Sequence, residues 1–176
     1  MFWLFGKRKS TTPLFGPGKL HIPETLYRRM INHCNEERPL EACGLLMGQG
    51  GQTLSAYATD NQHRSPVIYK VDEHQLLEAL HDIRSEQHGL IGIYHSHVKT
   101  APVPSRTDIG QAYWPEVFYV IVSLAHRRPQ VRAWRIVDGH VTEHQVVIQK
   151  LASGKWHDLR RAVRPRQAPD AARDIP

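Results

Sequence analysis

His95 and His97 stand at the end of an apolar stretch, residues 90–94, that is typical of a buried strand. Side chains at positions i and i+2 of a strand point to the same face, so the two imidazoles project together. Asp108 follows a loop and forms an S-x-x-D pattern with Ser105, which predicts a helix start. Two histidines and one carboxylate can hold a zinc ion and leave its fourth position open for water, as in catalytic zinc sites.

A glutamate lies in a second apolar segment, residues 40–47, which predicts a core strand. A buried carboxylate without a partner is costly, so Glu41 either lies at the exposed end of this strand or faces the histidines. In the second case it is a candidate general base, able to take a proton from water and return one to a leaving nitrogen. Ser105 is then a candidate donor to an oxyanion. The alternative is that Ser105 only caps the helix, with Asp108 as its partner.

The composition is that of an ordinary globular chain, with 40% hydrophobic and 23% charged residues among 176. This length predicts one domain. The net charge of +6 belongs to the chain ends: residues 1–9 have three basic side chains, and residues 150–176 have seven basic and three acidic ones, which leaves −1 for residues 10–149. Charge runs without interleaved aromatics are typical of solvated tails, so nucleic-acid binding is disfavoured.

We therefore expect a flexible leader over residues 1–18, a domain over residues 19–150 and a basic, disordered tail over residues 151–176. The aromatic side chains of the leader could dock on the domain or on a second copy, so a homodimer is one option. The apolar residues 1–5 precede the first charges, which is unlike a signal peptide. No apolar run approaches the ~20 residues of a membrane-spanning helix, so no membrane contact is expected.

Two cysteines, Cys34 and Cys43, are too few for a disulfide framework. We expect both to be reduced and the protein to be cytoplasmic. Cys43 shares a strand face with Glu41, so it is either a core residue or a further zinc ligand.

Apolar spacing predicts an alternation of helices and strands. Helices are predicted over residues 23–37, 72–87 and from 107 onward, and strands over residues 40–47, 53–59, 90–97, 117–124, 131–137 and 141–149. Asp138-Gly139 predicts a tight turn between the last two strands. This order predicts a single α/β domain with a mixed β-sheet sandwiched by helices.

The pattern H-x-H-x7-S-x2-D, which begins at His95 and ends at Asp108, resembles the signature of the JAMM (MPN-plus) zinc metallopeptidases. The segment around Glu41, residues 39–48, is similar to the glutamate-bearing strand that lies upstream in that family. The similarity covers about residues 20–149 and leaves both ends of the chain unexplained.

This resemblance implies a cytidine-deaminase-like fold that holds one zinc ion per chain. His95, His97 and Asp108 would be the metal ligands, Glu41 the catalytic acid and base, and Ser105 the oxyanion donor. Each of these roles is carried over from the matching position of the family motif.

The resemblance also implies a substrate class. JAMM proteins cut at the C-terminal glycines of ubiquitin-like proteins, so we expect a β-grasp substrate such as a ThiS/MoaD-type sulfur carrier, bound as an added strand. Residues 57–69 and 98–104 would border the groove, and their shortness favours a compact prokaryotic member. An E1-like adenylating enzyme is implied as a pathway partner. Two other classes stay open: a non-catalytic scaffold, and a nucleic-acid-associated protein suggested by the basic ends.

Overall fold

The computed structural model describes residues 18–84 and 88–160, and within them the chain forms eight strands and three helices. In chain order they are β1 (Lys19–Pro23), α1 (Glu24–Glu36), β2 (Cys43–Gln49), β3 (Gln52–Thr59), α2 (Glu73–Arg84), β4 (Gly89–His97), α3 (Arg106–Gly110), β5 (Phe118–Ser123), β6 (Gln130–Val137), β7 (His140–Gln149) and β8 (Lys155–Asp158). The predicted leader up to residue 17, the predicted end of the second helix at 85–87 and the tail after 160 lie outside the described residues. No helix in the described ranges is long and apolar enough to cross a membrane.

The strands form one mixed sheet in the order β1-β7-β6-β5-β4-β2-β3-β8. At its centre β4 runs parallel to β5 and antiparallel to β2. β1 pairs along its length with β7 and also reaches β3, where His21 lies opposite Gln52. The first strand of the order therefore meets the strand next to its last, and the sheet closes on itself.

A single α/β domain with a mixed sheet is confirmed, but the predicted sandwich of an open sheet between helices needs correction. Helix α1 contacts β1 and β7 from one end of the strand order and β3 and β8 from the other. Because strands from both ends pack on the buried face of this one amphipathic helix, the sheet curls around it and closes.

Buried side chains form two clusters on opposite faces of the central strands. Met30 of α1 belongs to one cluster, and Ala79 of α2 belongs to the other. The alternation of a strand explains the division, since Val120 of β5 faces the first cluster and its neighbour Ile121 faces the second. The predicted hairpin turn is present between β6 and β7, where Asp138 and Gly139 both have positive φ.

The ordered chain continues past residue 150, where we expected a disordered tail to begin. Strand β8 pairs in parallel with β3. Trp156 packs against the α1 cluster, and the side chain of Gln75 donates to the carbonyl of Leu159 at 2.6 Å. Arg160 donates to Glu37 at 2.8 Å. The basic composition concealed this segment because its apolar side chains are few and the partners that hold it to the domain are distant in sequence.

Candidate metal centre

The end of β4 and the start of α3 bring three potential ligands together in the described part of the chain. The Nε2 atoms of His95 and His97 are 3.1 Å apart. The Oδ2 atom of Asp108 is 3.3 Å from Nε2 of His97, and its Oδ1 atom is 3.4 Å from Nε2 of His95. All three residues are buried, at most 7% exposed.

These distances fit a single zinc ion. Zinc bonds to imidazole nitrogen and carboxylate oxygen are about 2.0–2.2 Å, so ligand atoms of a tetrahedral site lie about 3.3 Å apart. The three separations of 3.1–3.4 Å match that spacing. Two neutral imidazoles and one carboxylate are also a donor set that zinc accepts, and a tetrahedral ion would have one position left for another group.

The hydrogen bond of His97 to the backbone leaves its Nε2 atom, which faces the cluster, free to bind a metal. Its Nδ1 atom lies 2.8 Å from the carbonyl oxygen of Ala101, which can only accept, so Nδ1 carries the hydrogen and Nε2 keeps its lone pair. His95 is held differently, by the ring of Tyr69, which stacks on it at 4.2 Å. The Nδ1 atom of His95 is buried without a hydrogen-bond partner in the described residues.

Asp108 is fixed by the first turn of α3. Its backbone N–H donates to Oγ of Ser105 at 3.1 Å, and its carboxylate accepts from the backbone N–H of Ser105 at 2.7 Å. This reciprocal capping box orients the carboxylate toward the histidines. Ser105 therefore does cap the helix. Its exposed hydroxyl accepts one bond there and still has its own hydrogen to donate.

The carboxylate sets the charge of the cluster. Burial raises the pKa of Asp108, but the imidazoles of His95 and His97 outweigh burial and hold this pKa well below its ordinary range. Burial lowers the pKa of His97, yet Asp108 and the Ala101 carbonyl outweigh it, and the net pKa is raised. The pKa of His95 is lowered because burial dominates. Asp108 is thus ionised and ready to bind a cation.

Glu41 lies in the loop just before β2 rather than within the predicted strand. It is only 5% exposed, so the alternative of an exposed strand end does not hold. Burial raises the pKa of its carboxyl to about 7; the positive charge of His97 opposes this rise, and the negative charge of Asp108 adds to it. The structure therefore brings Glu41 into the electrostatic surroundings of the histidine–aspartate cluster.

A cavity of about 320 Å³ lies next to Tyr69, and His95, His97 and Asp108 do not line it. Tyr69, whose ring covers His95, lines it together with Leu76 of α2 and Trp114. The walls are largely apolar, and the exposed apolar side chains of Leu77 and Tyr113 lie close to them in the sequence.

Cys43 is the residue that the sequence offered as a further zinc ligand or a core residue. It is buried and lies against Thr59, as a core residue.

A family model described as prokaryotic homologs of the JAB domain matches residues 23–137. The chain belongs to this family. A CysO-cysteine peptidase of Mycobacterium tuberculosis is 37% identical over 130 residues, which cover 72% of this chain and 89% of the relative. A desampylase of Pyrococcus furiosus is 28% identical, over 77% of this chain and 94% of the relative. The solution structure of a Desulfitobacterium hafniense protein superposes with a TM-score of 0.69 at 29% identity, covering 74% and 93% of the two chains. The JAB-family match includes Glu41 and the whole histidine–aspartate cluster.

Asn61 is a site residue that the sequence did not reveal. Its side chain donates to the carbonyl of Glu41 at 2.9 Å. An asparagine in a polar loop carries no local signal of such a contact, because it is equally typical of a turn.

Proposed function

We propose that this chain is a zinc-dependent peptidase that hydrolyses peptide or isopeptide bonds at the C-terminal end of a ubiquitin-like β-grasp protein. The convergence of two Nε2 atoms and one carboxylate within 3.1–3.4 Å carries this proposal. The names of the relatives, a CysO-cysteine peptidase and a desampylase, support the reaction class. The E1-like partner and the cytoplasmic location stay predictions.

His95, His97 and Asp108 would hold the zinc ion. When bound, zinc supplies Lewis-acid activation of water and of the scissile carbonyl. Glu41 would take the proton from the attacking water and give it to the leaving nitrogen. A carboxylate can both accept and return a proton when it lies within hydrogen-bond reach of the water.

Ser105 would donate its hydroxyl hydrogen to the carbonyl oxygen as negative charge develops there. The same hydroxyl accepts from the backbone of Asp108, which fixes its position at the first turn of α3. Capping and donation do not compete, because they use the lone pair and the hydrogen of one hydroxyl group.

The cavity beside Tyr69 would take the substrate chain leading to the scissile bond. Its apolar lining suits a polypeptide segment more than a charged small molecule. The exposed side chains of Val67, Leu77 and Tyr113 are 66–78% accessible, and they support a protein surface as the partner.

The test uses zinc-loaded protein and a fusion in which a ubiquitin-like β-grasp protein is joined through its C-terminal glycine to a reporter protein. Glu41→Gln should lower kcat by roughly 1,000-fold, because the amide cannot accept the proton. Zinc content should stay at the wild-type value. Glu78→Gln, the same change at an exposed position of α2, is the matched control and should leave kcat unchanged.

Two outcomes contradict the proposal. Glu41→Gln protein that cleaves at the wild-type rate removes Glu41 from the reaction. Wild-type protein that binds the β-grasp protein without cutting any fusion supports a non-catalytic scaffold instead.

A further inference from the structure

We infer that Asn61 and Ser96 are positioning residues that clamp the Glu41–Ala42 peptide unit from two sides and thereby place the Glu41 carboxyl beside the metal centre. The catalytic consequence rests on the proposed function, whereas the clamp itself is a property of the fold. Neither side chain is a metal ligand candidate, and neither touches the reacting atoms.

Glu41 needs such support because it lies in no helix or strand. Its backbone N–H donates to the carbonyl of Ser65 at 2.8 Å, and its backbone carbonyl accepts from Nδ2 of Asn61 at 2.9 Å. Both contacts come from the segment 61–70, the site loop, which connects β3 to α2. The location of the general base therefore depends on a loop instead of a sheet ladder.

One side chain organises this site loop. Asn61 accepts through Oδ1 from the backbone N–H groups of His63 at 3.0 Å and Lys70 at 3.1 Å. Its Nδ2 group donates to Ile68 at 3.1 Å as well as to Glu41. The acceptor oxygen thus binds the N–H groups of His63 and Lys70, and the donor nitrogen binds the carbonyl groups of Ile68 and Glu41. Because the two functions use different atoms, a substitution can separate them.

The site loop is also anchored to the metal-ligand strand. Tyr69 lies in the loop and stacks on the ring of His95 at 4.2 Å. Asn61 therefore belongs to a unit that contacts a ligand of the cluster at one end and the backbone of Glu41 at the other.

The opposite side of the peptide unit is held by Ser96, which separates the two histidines in β4. Its Oγ atom accepts from the backbone N–H of Ala42 at 2.8 Å, and its own N–H donates to the carbonyl of Ala42 at 3.0 Å. Ser96 is fully buried and Ala42 is 1% exposed, so water does not replace these bonds. The hydroxyl between the ligand histidines thus fixes the residue next to Glu41.

The clamp matters because proton transfer requires hydrogen-bond reach between the base and the water. A displacement of about 1 Å costs roughly 100-fold in rate even when every reacting group is present. Asn61→Asp keeps an oxygen for His63 and Lys70 but places a carboxylate oxygen against the carbonyls of Glu41 and Ile68, so the accepting contacts remain while the clamp is lost. Ser96→Ala removes the clamp from the other side.

Kinetics on the β-grasp fusion test whether the clamp affects catalysis. Asn61→Asp should lower kcat by roughly 100-fold with KM within about threefold and zinc content unchanged. Ser96→Ala should act in the same direction. Ser65→Ala is the matched control in the same loop, because within residues 18–84 and 88–160 its hydroxyl accepts from Val67 alone and its backbone carbonyl still binds Glu41. This control should stay within about twofold of the wild-type kcat.

Amide hydrogen exchange tests the clamp without any need for turnover. The Ala42 amide belongs to the clamped peptide unit, so its exchange should be at least about tenfold faster in Asn61→Asp and in Ser96→Ala than in wild type or Ser65→Ala. Unchanged Ala42 exchange in both variants overturns the clamp. Faster exchange with wild-type kcat overturns the catalytic consequence. Faster exchange in a protein whose wild type cuts no fusion upholds the clamp and rejects the proposed function.

Discussion

Strand β4 has buried histidines at both of its faces, one from helix α1 and two of its own, and the two faces differ in chemistry. On one face the hydroxyl of Tyr94 lies 2.8 Å from Nδ1 of His33, a residue of α1 that is 1% exposed. On the other face His95 and His97 meet the carboxylate of Asp108. Burial is nearly equal on both faces, so burial alone does not identify the functional one.

The surroundings decide the difference. Burial and the charge of Arg160 lower the pKa of His33 to about 3, so this imidazole stays neutral and packs against Tyr94 and Trp156. The pKa of His97 is raised instead, because an ionised carboxylate lies beside it. A metal centre requires several converging ligand atoms, and among the described residues only the Asp108 face has them.

The largest effect is expected when the converging face loses a ligand. His97→Ala should lower zinc affinity by more than about 100-fold. Loss of a residue that only hydrogen-bonds to a metal ligand costs at most about 100-fold, and loss of the ligand itself should cost more. Zinc content by elemental analysis and affinity by chelator competition measure it. His74→Ala, at an exposed position of α2, is the control. Wild-type affinity in the His97 variant would remove this residue from the ligand set.

A substitution on the opposite face should lower the stability of the protein and leave metal binding unchanged. His33→Ala should lower the free energy of unfolding by roughly 3 kcal/mol, since it leaves a cavity and a buried Tyr94 hydroxyl without its partner. Zinc affinity should be unchanged. Urea unfolding and metal titration check both values, with the exposed Asn35→Ala on the same helix as control. A loss of zinc in the His33 variant would abolish the distinction between the faces.

A smaller effect concerns the pH dependence of the metal-free protein. Folded Glu41 keeps its proton up to about pH 7, whereas an ordinary glutamate releases it near 4.5. The folded state therefore binds more protons in this window, and stability falls as pH rises through it. Glu41→Gln abolishes this loss, so above about pH 8 the variant should be more stable than wild type by roughly 1–2 kcal/mol after solvent screening.

Urea unfolding in the presence of a chelator, at pH values on both sides of the window, gives the required curves. The stability difference between Glu41→Gln and wild type should shrink as pH falls from about 7 to about 4.5. Parallel curves for the two proteins would show that burial does not raise the pKa of Glu41.

Local patterns in the sequence predicted most of the sheet and the identity of the cluster. The strands predicted over residues 90–97, 117–124 and 131–137 match β4, β5 and β6 within about a residue at each end. The spacing of His95 and His97 placed them on one face, and the S-x-x-D pattern placed Asp108 in a capping box. Strand alternation and helix capping act over a few residues, so they can be read from the sequence directly.

The sequence by itself identified the side chains that converge in the histidine–aspartate cluster, but it did not determine how the chain encloses them. Strand β8, the meeting of β1 with β3 and the support of Glu41 by Asn61 and Ser96 were decided only in three dimensions. Each joins segments far apart in the chain, and each partner is an ordinary residue in its own neighbourhood. Such pairings depend on how distant segments pack together, which no local period encodes.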